Sequence, residues 1–184
     1  MDSSPFLSVD NSVLVIVDVQ EKLWRVMHEK EKLLDSLQRL IRGVRVFNIP
    51  VIITEQYPQG IGPTVPEIAA LLPDNKPVAK LSFSCCGDMN FLNELKAIDR
   101  KQILLTGIES HVCVYQTAVD LLYSGYEVQV VTDCVSSRTP ENRQLGLGRI
   151  EKAGGKPTGV EMSLFELLKT AGSEHFKAIS KIVK

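Results

Sequence analysis

Short runs of β-branched and aliphatic residues alternate along the chain with longer segments whose apolar positions recur at three- and four-residue spacing. Residues 12–19 (SVLVIVDV) are apolar on both faces until Asp18, which is how a central parallel strand with both faces buried reads. Residues 31–47 place Leu33, Leu34, Leu37, Leu40, Ile41 and Val44 at helical spacing. Pro50 punctuates, and residues 51–54 (VIIT) form a second strand. Residues 55–66 (EQYPQGIGPTVP) hold three prolines and two glycines, a long loop of the kind that often carries function.

The alternation continues to the end of the chain. A short helix over 66–72 precedes a third strand over 77–81, and Asp88 can cap a helix over 90–98. Residues 103–106 (ILLT) are a fourth strand, followed by Gly107 and a helix over 112–123 with Ser110 as its expected N-cap. Residues 127–132 are a fifth strand, 140–153 a helix closed by two glycines, and 156–159 a weak sixth strand. The pattern Ser163-Leu164-Phe165-Glu166 reads as a capping box opening a further helix. An amphipathic helix over 175–183 (Phe176, Ile179, Ile182, Val183) has either its own core or a partner to pack on. Strand and helix in strict alternation, without repeat or linker, predict a layered α/β fold around a parallel sheet in one domain spanning 1–184. Ligands of such sheets bind outside the carboxyl ends of the strands, where strand order reverses.

Composition narrows the classes. The 184 residues are 44% hydrophobic and 23% charged, which is globular, and long enough to bury a core without disulfide or metal. Twenty-one basic against 22 acidic residues give a net charge of −1, which argues against a nucleic-acid partner. No apolar run reaches the length of a membrane span. The N-terminal MDSSPFLSVDN carries two acidic and no basic residues, unlike a secretory or transit signal. Cys85, Cys86, Cys113 and Cys134 are irregularly spaced, and a reducing cytoplasm is the simplest compartment, with a mitochondrial address also compatible.

Three strand ends carry reactive groups: Asp18 after the first, Lys80 after the third and Cys113 in the turn after the fourth. Taken singly, each has an ordinary explanation, as a turn cap, a solvated lysine and a small buried hydrophobe. Taken together, they offer a nucleophile, a base for its proton and a cation for the charged state. Cys113 in the first turn of a helix would have its thiolate favoured by the dipole and by free N–H groups, which can also receive an oxyanion. If the third strand lies two places from the first, the gap is about 10 Å, within reach of a lysine stem and its loop.

These residues resemble the isochorismatase-like cysteine hydrolases, and most of all the isochorismatase-domain-containing subgroup. The resemblance runs through Val17-Asp18-Val19-Gln20-Glu21-Lys22, the stretch from Thr54 to Glu67, Ala79-Lys80, Gly107-Ile108-Glu109-Ser110-His111-Val112-Cys113-Val114 and Asp133-Cys134-Val135-Ser136-Ser137-Arg138. It implies a three-layer α/β/α, Rossmann-like fold with a six-stranded parallel sheet in the order 3-2-1-4-5-6. It implies a catalytic triad of Asp18, Lys80 and Cys113, a cis peptide at Ile108–Glu109, and an oxyanion hole from the backbone N–H groups of Glu109 and Cys113. Asp18 would take the thiol proton and Cys113 would attack an amide or ureide carbonyl, passing through a thioester acyl-enzyme. Gln56, Tyr57 and Phe83 would line the substrate pocket, and the chain would form a homo-oligomer, a dimer or tetramer.

Two departures limit what carries over. Isochorismatases that cleave a vinyl ether do not use the nucleophilic cysteine, so Cys113 argues against isochorismate. Nicotinamidases carry histidine metal ligands in the loop after the second strand, and residues 55–66 contain none; His28, His111 and His175 are scattered. No metal and no cofactor is expected, and a small molecule is the expected partner. His111 is too close in sequence to Cys113 to face it productively, and Cys85, Cys86 and Cys134 read as structural thiols. The alternatives are a binding or interaction protein that keeps the fold, and a thiol redox protein, which would lack a Cys-x-x-Cys motif.

Overall fold

The computed structural model describes residues 6–184; the start of the acidic N-terminal stretch considered above for targeting, residues 1–5, lies outside them. Six strands form one parallel sheet: β1 (Ser12–Val17), β2 (Val51–Gln56), β3 (Val78–Lys80), β4 (Gln102–Ile108), β5 (Glu127–Ser136) and β6 (Lys156–Thr158). Their order is β3-β2-β1-β4-β5-β6, so the direction of winding reverses between β1 and β4. The helices are α1 (Glu21–Trp24), α2 (Lys30–Val46), α3 (Pro58–Ile61), α4 (Pro66–Ala69), α5 (Met89–Ile98), α6 (Tyr115–Tyr123), α7 (Pro140–Lys152), α8 (Val160–Leu168) and α9 (Phe176–Val183).

The side-chain period of two sorts β1 between two cores. Leu14 and Ile16 pack on one face with Leu37, Leu40 and Ile41 of α2, Leu164 of α8 and Ile179 of α9. Val13, Val15 and Val17 pack on the other with Phe91 and Leu95 of α5, Ala118 and Leu121 of α6 and Ile150 of α7. Val13 to Val17 are all fully buried, and their five side chains together contribute on the order of 10 kcal/mol. That is enough to anchor β1 at the centre whatever the next residue, Asp18, requires. The amphipathic α9 packs on its own core: Ile179 is fully buried, with Phe176, Ile182 and Val183 beside it.

Several expectations need correction. Residues 55–66 are less of a loop than their composition suggests: β2 runs on to Gln56, α3 forms a single turn, and Thr64 bridges back to Gln20. β5 extends to Ser136, because a register shift against β4 between Leu105 and Gly107 accommodates extra residues. Arg143 of α7 holds that irregular stretch, donating from Nε to the Val135 carbonyl at 3.0 Å and from Nη2 to the Thr132 carbonyl. The capping box is not formed. Helix α8 begins at Val160, so Ser163 lies inside it and donates to the Val160 carbonyl. The cap comes from another element: the Asp133 carboxylate of β5 accepts from the Val160 N–H at 3.0 Å. Glu166 instead accepts from the Leu7 N–H, fastening the N-terminal segment to α8.

Gly107 is where β1 and β4 come closest. It pairs with Val17 at a φ of +114°, and a Cβ there would lie 2.0 Å from the Val17 carbonyl oxygen. Gly107→Ala should therefore lose about 2–4 kcal/mol of unfolding free energy in urea denaturation. A loss under about 1 kcal/mol would show that the two strands can separate without consequence.

Candidate active site

All three candidate groups lie at the carboxyl edge of the sheet, where the winding reverses. Asp18 follows β1 in the left-handed region at φ 53°, which turns its carboxylate back over the strand ends. Lys80 ends β3, two strands away, in register with Gln56 of β2. Its stem crosses the end of β2, and its ammonium meets Asp18 Oδ2 at 2.6 Å with both side chains wholly buried. Cys113 sits in the turn after β4 and is 6% exposed, its thiol donating to Gln56 Oε1 at 3.6 Å and close enough to Asp18 and Lys80 to feel both charges.

A buried ion pair survives only when its remaining hydrogen-bonding capacity is met. Here it is. Lys80 Nζ also donates to Gln56 Oε1 at 3.1 Å and to the carbonyls of Ser82 at 3.1 Å and Phe83 at 3.2 Å. Asp18 Oδ1 accepts from the Thr54 hydroxyl at 2.7 Å. Because that hydroxyl has one hydrogen and spends it on Asp18, the Cys85 thiol, 3.7 Å away, is the donor to Thr54. An ammonium has no lone pair, so within this ion pair only the Asp18 carboxylate can accept a proton.

The turn that carries Cys113 differs from the expected helix start. Residues Ser110–Val114 form a wide, π-type turn before α6, a geometry frequent at functional sites. Ser110 does not cap it; its buried hydroxyl donates to the Ser136 carbonyl at 2.9 Å. The tip of β5 braces this turn at two more points. His111 Nδ1 pairs with the Ser137 hydroxyl at 3.0 Å, so its ring is committed away from Cys113. The Glu109 carboxylate accepts from Arg138 Nε and from the Arg138 N–H, both at 3.1 Å. Helix α7 presses against the other side, where a Cβ on Gly146 would come within 2.5 Å of the Ser110 carbonyl. The Ile108–Glu109 peptide is cis.

Nor is the thiol predisposed to ionise. Burial, followed by the Asp18 charge, pushes the Cys113 thiol well above the ordinary value near 9, and Lys80 only partly offsets them. The expected thiolate-favouring site is thus a neutral-thiol site at rest, because desolvation and a neighbouring carboxylate outweigh one cation that is already paired. Cys85, fully buried beneath Thr54, is likewise pushed up, to about 11. Cys134 is buried away from the cluster beside Asp133, whose charge adds to its burial.

The expected pocket residues separate. Gln56 is buried in the cluster, with its Nε2 donating to the Leu81 carbonyl at 2.7 Å. Tyr57 is half exposed and lines a groove of about 460 Å³ with Pro58, Gln59, Lys80, Leu81 and Asp88. Phe83 is exposed, and it reaches the cluster through its carbonyl. Thr54 and Gln20 carry no reactive group, so residue chemistry alone does not single them out as site residues. Gln20 holds the Gln56 backbone at both ends, accepting from its N–H at 2.7 Å and donating to its carbonyl at 3.0 Å. In the sequence, Gln20 stands two residues after Asp18, within a stretch that carries the family resemblance. Among the described residues no three His, Cys, Asp or Glu side chains are grouped to hold a metal ion, and no helix is long and apolar enough to cross a membrane.

Comparison with known proteins decides the lineage, since the isochorismatase domain model matches residues 12–162. The chain belongs to the isochorismatase family. This family member is 39% identical over 178 residues to isochorismatase domain-containing protein 2 of Danio rerio, spanning 96% of this chain and 89% of that protein. It is also 39% identical over 178 residues to the secreted isochorismatase effector Isc1 of Phytophthora sojae, across 95% and 85% of the two chains. The solved structure of MAR1 ribonuclease from Caenorhabditis elegans superposes with a TM-score of 0.91 at 36% identity, covering 97% of this chain and 92% of that one. YcaC from Pseudomonas aeruginosa, solved with hexane-2,5-diol and covalent acrylamide, superposes at 0.91 with 25% identity, covering 99% and 93%. The family is one of hydrolases, and the buried Asp18–Lys80 pair beside Cys113 is consistent with a catalytic triad.

Removing one partner of the buried pair should be far worse than removing both charges. Lys80→Met is expected to lose about 3–5 kcal/mol of stability, and the double variant Asp18→Asn/Lys80→Met much less. Equal losses in urea denaturation would mean the two groups are not energetically coupled. The raised thiols set a pH dependence as well. The native state holds the protons of Cys85, Cys86, Cys113 and Cys134 more tightly than the unfolded chain, whose thiols titrate near 8.5. Stability should be intact below about pH 8.5 and fall above it by up to about 1.4 kcal/mol per pH unit per thiol. Cys134→Ala should flatten that slope; a wild-type curve level to about pH 10.5 would contradict it.

Proposed function

We infer that this chain hydrolyses a C–N bond of a small amide or ureide, with Cys113 as nucleophile, Asp18 as general base and acid, and Lys80 as the fixed cation. The observation that carries the reading is the buried Asp18–Lys80 ion pair placed against the Cys113 sulfur. Polar groups so costly to bury have no evident use in a scaffold. Covalent capture of acrylamide, an electrophile that reacts with thiols, by the Pseudomonas YcaC is support of the same kind.

The reaction runs in two halves. Asp18 accepts the thiol proton as the sulfur attacks the carbonyl carbon, so no free thiolate need persist beforehand. The developing oxyanion is assigned to the backbone N–H groups of Glu109 and Cys113. Collapse expels the nitrogen, which takes the proton from Asp18 and leaves as the amine or ammonia. A water molecule, deprotonated by Asp18, then attacks the thioester, and the sulfur regains its proton as the acid departs. No step needs a metal or cofactor.

Tyr57 on the groove wall, with Leu81 and Phe83 exposed nearby, suits a small flat-faced substrate, and Gln56 is no free handle because both ends of its amide are bonded. The exposed Leu81, Phe83 and Met89 also suit a neighbouring subunit in a dimer or tetramer. A reducing compartment, the cytoplasm first, suits four unpaired thiols.

A panel of small amides and ureides, assayed for released amine or ammonia, should include one that wild-type protein turns over. Cys113→Ala should lower that rate by about 10³-fold or more, to background, with the fold unchanged by circular dichroism. Isochorismate and RNA belong in the same panel, given the names of two relatives. Cleavage of either that persists in Cys113→Ala would overturn the amide reading. A blank panel with wild-type protein would favour a binding role.

A further inference from the structure

Gln56 stands at the end of β2 in register with Lys80, 9% exposed, with its backbone clamped at both ends by Gln20. Its Nε2 donates to the Leu81 carbonyl at 2.7 Å. Its Oε1 therefore faces the Lys80 ammonium at 3.1 Å and the Cys113 sulfur at 3.6 Å. The opposite amide orientation would set N–H donors against an ammonium that can accept nothing, so chemistry as well as geometry fixes the oxygen there.

An amide oxygen in that place acts on the thiol in two ways. It accepts from S–H and cannot donate to a thiolate, so it favours the neutral sulfur. It also accepts from Lys80, engaging the ammonium on the side toward the sulfur. The charged or titratable groups facing Cys113 are Asp18 after β1, Lys80 at the end of β3 and Cys85 in the turn Cys85–Gly87; of these only Lys80 favours ionisation. We propose that Gln56 is a positioning residue that divides the Lys80 ammonium between the surrounding oxygens and the Cys113 sulfur, and so sets how readily the thiol gives up its proton. The proposal rests on Cys113 being the reacting thiol, and it departs from a role for Gln56 as a substrate handle.

Two near-isosteric variants separate the possibilities, read by the rate of Cys113 alkylation by iodoacetamide at fixed pH, followed by peptide mass. Gln56→Glu keeps the shape and adds a negative charge beside the sulfur, and alkylation should slow about tenfold or more. Gln56→Met removes the acceptor and frees a Lys80 N–H toward the sulfur, and alkylation should quicken about three- to tenfold. General loosening of the site would not move the two variants in opposite directions. Rates that shift the same way, or stay within about twofold of wild type, overturn the proposal. Should Gln56→Glu not fold, Gln56→Met decides alone, and an unchanged or slower rate overturns it. With a turned-over amide in hand, Gln56→Glu should lower kcat with little change in KM, the reverse of a lost substrate contact. Alkylation needs no substrate, so opposite shifts together with a blank amide panel would remove the hydrolase reading alone. Turnover without those shifts would remove the role of Gln56 alone.

Discussion

The ion pair between Asp18 and Lys80 is the constraint around which the carboxyl edge of the sheet is organised. Each charge, removed from water, costs several kcal/mol unless its hydrogen-bonding capacity is filled. The surrounding chain fills it with the Thr54 hydroxyl, the Gln56 amide oxygen and the carbonyls of Ser82 and Phe83. Those partners come from β2 and from the segment after β3, so satisfying one pair orders two stretches of chain. The buried aliphatic residues of β1 supply the stability that allows such a site at the centre of the fold.

Cys113 is held from the opposite side. The tip of β5 reaches the turn Ser110–Val114 through Ser136, Ser137 and Arg138, while α7 lies close enough that only glycine fits at Gly146. One half of the sheet thus supplies the carboxylate and the cation and the other the sulfur, meeting where the winding reverses between β1 and β4. Burial and the Asp18 charge favour the protonated thiol, which leaves it less open to adventitious oxidation than an exposed thiolate.

Local pattern was a good guide wherever the determining interaction was itself local or periodic. The two-sided apolar run before Asp18 marked the central strand, and the spacing of Leu33, Leu37, Leu40 and Ile41 marked α2. It misled where the partner came from far along the chain. Ser110 has the chemistry of a cap, yet its hydroxyl is taken by Ser136, and Ser163 lies inside a helix that Asp133 caps from another strand. Thr54, Gln20 and Gln56 carry no reactive group; their stretches carry the family resemblance, but the contacts by which they support Asp18 and Lys80 are made only in the fold.

The order of residue types along this chain was sufficient for the alternation of strands and helices, the parallel sheet, the family, and the choice of Asp18, Lys80 and Cys113 as the groups to watch. Those features follow from periodicity and from residue identity at strand ends, which a linear text preserves. Only the tertiary structure decided that the thiol rests protonated, that Gln56 faces inward, and that α9 covers its own core. Each of those depends on how much water is excluded and which charges stand within a few ångströms, and neither quantity exists until distant segments are brought together.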